Sequence, residues 1–126
     1  MIKSLDHFVL TTRDLERCLH FYVDVLGMRQ EVFGAGRIAL RFGDLKINVH
    51  PPGYQADVVA ALPTPGSLDL CFLVDRPLDE VIAHLQAKGV TIEKMPSIRT
   101  GARFPIRSIY LRDPDGNLVE ISEPAA

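Results

Sequence analysis

The apolar positions of this chain keep two rhythms, and each half runs through both in the same order. "SLDHFVLTT" is rich in β-forming residues and predicts a strand. In "RDLERCLHFYVDVLG" the apolar residues Leu15, Cys18, Leu19, Tyr22, Val25 and Leu26 follow helical spacing. Thr12 stands where an N-cap belongs and Gly27 where a left-handed C-terminal cap belongs, so an amphipathic helix of about three turns is expected. "MRQEVF" reads as a strand, Gly34 to Gly36 as a turn, and "RIALRF" and "LKINVH" as strands joined by a "GD" hairpin. The first half is therefore β-α-β-β-β.

Residues 51–66, "PPGYQADVVAALPTPG", hold four prolines and two glycines, which is connector composition. The pattern then restarts. "LDLCFLV" predicts a strand, and "RPLDEVIAHLQAKG" a helix with Leu78, Val81, Ile82 and Leu85 on one face, Pro77 near its first turn and Gly89 beyond its end. "VTIEKM" reads as a strand, "PSIRTGARFP" as a loop, "IRSIYLR" as a strand, "DPDG" as a turn and "NLVEIS" as the final strand. The chain is an internal duplication, with modules 1–50 and 67–123 joined by the linker 51–66. Gly27 and Gly89 lie 62 positions apart, and the same offset aligns His7 with Asp69; the helix starts, Leu15 and Leu78, differ by 63. One half holds an extra residue in its helix.

Each module has one helix to cover one side of a small sheet, so the other side must face something else. The expected fold is α+β: two paired βαβββ modules whose sheets face each other around a cavity, with polar residues on their inner strand faces. A cavity with a few convergent polar groups is the default binding site.

The 126 residues suit a single domain, and 47% hydrophobic with 24% charged residues is ordinary globular composition. A net charge of −2 without a basic stripe points away from nucleic acid and anionic membrane surfaces. No stretch reads as a signal peptide or a membrane span. Cys18 and Cys71 sit inside apolar patterns and are expected as buried free thiols in a reducing compartment, so a cytoplasmic protein is expected. His20 and His84 fall off the apolar stripes of their helices and are expected at the surface.

Candidate chemistry lies in residues that break the apolar strands. Glu120 stands between Val119 and Ile121, and Asp69 interrupts "LDLCFLV", where an unpartnered buried charge would be costly. Asn48 and His50 share one strand face. Paired βαβββ modules, the "DHFVL" strand, "FYVDVLGM" at the first helix end and "YLRDPDGNLVEI" at the last strand together resemble the vicinal oxygen chelate superfamily of glyoxalases, bleomycin-resistance proteins and extradiol dioxygenases. "FGDLKINVH", "PGSLDLC" and "RTGARFPIRSIYLRDPDGNLVE" look most like its single-domain group of glyoxalase domain-containing protein 5 and bacterial "virulence proteins".

The resemblance implies a divalent metal ion (Mn, Fe, Ni, Zn or Mg) and assigns candidate ligands. His7 matches the first-strand histidine, Glu120 the last-strand glutamate, and Asp69 the position usually held by a second histidine. The remaining ligand position aligns with Asn48, with His50 two residues on. His7, Asp69 and Glu120 would make an oxygen-rich site, whereas His7, His50 and Glu120 would make the two-histidine, one-carboxylate set of non-haem iron oxygenases. Glu120 is also the candidate base. Arg99, Arg103 and Arg107 cluster near Thr100 and Gly101, and guanidinium forks suit an anionic group. With Asn48 and Tyr110, the residues Arg99, Thr100, Gly101 and Arg103 are the candidate substrate contacts. The implied function is a metal-dependent lyase, isomerase or oxygenase acting on a small oxygenated molecule; the alternative is a non-catalytic small-molecule binder of the bleomycin-resistance type. Members of this length are homodimers, so a shared cavity between two chains is expected.

Overall fold

A computed structural model describes residues 1–125. The chain divides into two compact units, Met1–Ser67 and the residues from Leu68 onward. In the first, β1 (His7–Thr11) is followed by α1 (Leu15–Leu19), whose path continues as a π-helical stretch over His20–Val25, and then by β2 (Arg29–Phe33), β3 (Arg37–Phe42) and β4 (Leu45–His50). In the second, β5 (Asp69–Leu73) is followed by α2 (Leu78–Ala87), β6 (Lys94–Thr100), β7 (Pro105–Arg112) and β8 (Leu118–Pro124). The duplication is real at the level of topology. The sheets are ordered β1-β4-β3-β2 and β5-β8-β7-β6, with one parallel pair each, β1 with β4 and β5 with β8.

In each sheet one face carries the core. On the first, Leu10, Leu40, Ile47 and Val49 are buried, as are Cys18, Phe21, Tyr22 and Val25 of the helix. On the second, Ile109, Leu111, Val119 and Ile121 are buried together with Leu78, Val81, Ile82 and Leu85 of α2. His20 and His84 are exposed, as their helical positions predict.

Three local expectations change. Thr12 does not cap α1. Asp14 does, accepting the Arg17 N–H at 3.1 Å, while the Thr12 hydroxyl accepts from the Asp14 N–H at 3.2 Å and so holds the cap in place. The second half of the first helix is π-helical: the Leu26 N–H donates to the Phe21 carbonyl, five residues back. Leu15 to Gly27 is one residue longer than Leu78 to Gly89, and the wider turn takes up that residue without moving the glycine. Both glycines adopt left-handed φ, +80° and +74°. Finally, β6 begins later than "VTIEKM" suggests and runs through Pro96 to Thr100, with a register break between Lys94 and Ser97. Proline is tolerated there because β6 is an edge strand with no neighbour awaiting its N–H.

The "DPDG" turn is held by a dense set of hydrogen bonds. Asp113 accepts from the Asp115 and Asn117 N–H groups, each at 2.9 Å, and from the Asn117 side-chain amide at 2.7 Å. Asn117 Oδ1 accepts the Leu68 N–H at 2.8 Å. The turn thus fixes where β5 starts and where β8 starts.

Candidate active site

The face of each sheet opposite its helix holds the polar strand residues. In the first unit these are His7 on β1 with Asn48 and His50 on β4. Register sets their spacing: His7 lies opposite Lys46, Val9 opposite Asn48, and Thr11 opposite His50. His7 and Asn48 are two register steps apart, about 7 Å along the strands, whereas His7 and His50 are four steps apart, about 13 Å. The second unit repeats the arrangement. Asp69 lies opposite Leu118 and Cys71 opposite Glu120, so Asp69 and Glu120 are again two steps apart. His7 and Asp69 are the first residues of equivalent strands, and Asn48 and Glu120 occupy equivalent positions in β4 and β8.

His7 is partly exposed, and its Nδ1 sits 2.7 Å from Asp6 Oδ1. With the proton on Nδ1, that bond leaves Nε2 as a free lone pair, the usual arrangement of a histidine ligand and its supporting carboxylate. The His7 contact holds the Asp6 carboxyl below its ordinary range. Asn48 is only 4% exposed, and its Oδ1 has no hydrogen-bond partner among the described residues. A buried orphan acceptor is uncommon. His50 is half-buried and stacked on Tyr54 with ring centroids 4.0 Å apart. Burial, and then the Arg37 charge, push its pKa down, so the ring is held neutral.

Asp69 is exposed, because the strand begins at it. It bears no burial cost despite its apolar sequence context. Cys71, expected to be buried, is exposed as well; Cys18 is buried, and neither forms a disulfide. Position alternation explains the miss: Asp69, Cys71 and Leu73 share the face away from α2, so the period of two was the available signal. Glu120 is flanked by Cys71 on β5 and by Tyr110 on β7. Burial raises the pKa of Tyr110, with Glu120 adding to it; burial also raises that of Cys71, with a Ser122 hydrogen bond opposing. Both side chains therefore stay protonated beside the carboxylate.

A pocket of about 450 Å³ opens over these residues, wholly within the second unit. Glu120, Tyr110, Cys71 and the hairpin from Arg99 to Phe104 line it, with Leu73 and Ile106 as apolar lining. Thr100, Gly101 and Arg103 all border it. Gly101 is required by space: a Cβ there would lie 2.4 Å from the Phe104 carbonyl oxygen, which already accepts the Gly101 N–H at 3.1 Å. Arg107 does not join Arg99 and Arg103. It sits one strand on, bonded to Asp79 at 3.1 Å and Glu123 at 3.5 Å. Taken singly, neither unit gathers three His, Cys, Asp or Glu side chains that could hold a metal ion among its described residues.

The family model described as the Glyoxalase/Bleomycin resistance protein/Dioxygenase superfamily matches residues 4–121. The chain belongs to this superfamily. It is 45% identical over 123 residues to the Virulence protein STM3117 of Salmonella typhimurium, covering 98% of this chain and 85% of that relative. That protein's crystal structure superposes with a TM-score of 0.96 over 99% of each chain. The Glyoxalase domain-containing protein RDO1 of Mycosarcoma maydis is 46% identical over 121 residues, 96% of this chain and 68% of its own. An integron cassette protein from the V. cholerae mobile metagenome, 48% identical, has a TM-score of 0.96 over 99% of this chain and 98% of its own. The superfamily, the "virulence protein" group and the α+β fold of two βαβββ modules read from the motifs all stand. Among the described residues no helix is long and apolar enough to cross a membrane.

Proposed function

We propose that the chain is a metal-dependent enzyme of the glyoxalase or dioxygenase type. Its two modules would form one glyoxalase-like domain. The observation that carries this reading is the equivalent placement of His7 with Asn48 and Asp69 with Glu120 on matching strands. Four donors from two related sheets suit a site built by duplication. His7 Nε2, the Asp69 and Glu120 carboxylates and the unpartnered Asn48 Oδ1 are the groups that would hold a divalent ion. This donor set is mostly oxygen and favours Mn²⁺, Fe²⁺ or Mg²⁺ over a tightly held Zn²⁺. The alternative third ligand His50 is disfavoured by its distance along the strands from His7 and by its stacking on Tyr54.

When bound, such an ion supplies Lewis-acid polarisation of substrate oxygens. The chain's own residues then have distinct tasks. Glu120 is the group that takes or returns a proton at the substrate. Tyr110 and Cys71, protonated on either side of it, orient its carboxylate. The Arg99–Phe104 hairpin limits water access to the pocket and contacts the substrate through Arg99, Thr100, Gly101 and Arg103. Cysteines without a disulfide suit a cytoplasmic protein, and the sheet-edge strands β1, β2, β5 and β6 suit a homodimer.

The test is metal content after purification, followed by calorimetric titration of Mn²⁺, Fe²⁺, Ni²⁺, Zn²⁺ and Mg²⁺ into the wild type, His7→Ala and Glu120→Gln. At least one ion should bind about tenfold or more weakly to each variant. If every ion binds no better to the wild type than to the variants, the enzyme reading fails. One observation favours a second reading, a metal-free small-molecule binder: the pocket is complete within one unit and needs no metal to close it.

A further inference from the structure

The second unit has five arginines. Arg76 is bonded to Asp75, Arg107 to Asp79 and Glu123, and Arg112 to Glu93. Arg99 and Arg103 have no carboxylate partner among the described residues, and these two line the pocket. Both are nevertheless held. The Arg99 guanidinium carbon lies 5.3 Å from the Tyr110 ring centroid, and that of Arg103 5.0 Å from the Phe104 ring. A guanidinium held over a ring still has N–H edges to donate. Those edges are what pair with a carboxylate or phosphoryl group in bidentate fashion. Ordering the arginines in advance also lowers the entropic cost of using them.

Leu73, Phe104 and Ile106 give the same pocket apolar lining. Glu120, paired with Tyr110 across β7 and β8, also lines it; its carboxylate repels a second anionic group but accepts a hydrogen bond from a neutral hydroxyl. We propose that the pocket takes a small amphiphilic organic anion: one oxyanion head on Arg99 and Arg103, a short apolar body against Leu73, Phe104 and Ile106, and an uncharged oxygen function at Glu120. This names the substrate class of the proposed active site and rests on that reading only at the Glu120 end. The head and body are bound by the second unit alone, with or without metal.

The experiment measures binding of hexanoate, hexylphosphonate, 1-hexanol and inorganic phosphate, by calorimetry on the full chain stripped with EDTA. Wild type, Arg99→Gln, Arg103→Gln and the double variant are compared, with Arg112→Gln as a control outside the pocket and circular dichroism to confirm folding. At least one of the two hexyl anions binds, each single arginine change weakens it several-fold and the double change by about tenfold or more. The tighter head then identifies the carboxylate or phosphoryl source. Hexanol and phosphate bind much more weakly, and Arg112→Gln leaves hexyl-anion affinity unchanged. The proposal is overturned if hexanol matches the anions, if phosphate matches hexylphosphonate, if the double variant binds as the wild type does, or if neither anion binds to the stripped protein. Anion binding that survives in a protein unable to bind any metal sinks the metal reading and leaves this one standing; metal binding without arginine-dependent anion binding does the reverse.

Discussion

Asn48 shows how a single residue separates stability from function. Its Oδ1 is buried without a hydrogen-bond partner, and such an acceptor costs the fold free energy. Replacing it with leucine, a side chain of the same branched shape, removes the orphan. Asn48→Leu should leave the unfolding free energy unchanged or raise it by up to about 1 kcal/mol in urea titration, while divalent-ion affinity falls about tenfold. A loss of stability instead would mean that Asn48 serves the core. Sequence reading reaches the identity of such residues but not their satisfaction. The family motif marks His7, Asn48 and Glu120, yet only register shows that His7 and Asn48 are close along the strands and that His7 and His50 are not. Cys71 was misread for a related reason: an apolar run hides which alternate positions face away from the helix.

At the level of elements, periodicity located both helices and every strand except β6, because a period of 3.6 or 2 reflects which face is buried. It failed where local hydrogen bonding decides. The Asp14 cap and the π-helical stretch depend on which backbone groups meet, not on hydropathy. The course of β6 through Pro96 follows from its place at the sheet edge, which is a property of the whole sheet. The Asp113 turn is the element most exposed to test. Its carboxylate accepts three hydrogen bonds and its partner Asn117 reaches Leu68. Asp113→Ala should cost about 3 kcal/mol in chemical denaturation. It should also weaken metal binding, since Asp69 and Glu120 begin on either side of that clamp. Asp113→Asn, which keeps one acceptor oxygen, should recover part of both.

On the scale of the molecule, duplication is what makes the sequence legible. Two copies of one pattern expose each other's boundaries, and the 62-residue offset that pairs His7 with Asp69 is also the offset between β1 and β5. How the units combine is a different kind of property, set by surface complementarity that no periodicity encodes. A mixing experiment addresses it. If each site takes His7 from one chain and Glu120 from its partner, refolding His7→Ala together with Glu120→Gln creates heterodimers with one intact site. Roughly a quarter of the wild-type metal capacity should return on random pairing, whereas neither variant alone recovers any. No recovery on mixing would place the whole donor set within one chain.

The clamp between Asn117 and Leu68 also has a consequence for how the protein is made. β8 enters the sheet between β5 and β7, and it follows every other strand of its unit along the chain. Until it is synthesised and inserted, nothing bridges β5 and β7, and Asp69 has no Glu120 on the neighbouring strand. A nascent chain therefore passes through most of its synthesis without these two carboxylates on adjacent strands. They are brought together by the same event that completes the sheet.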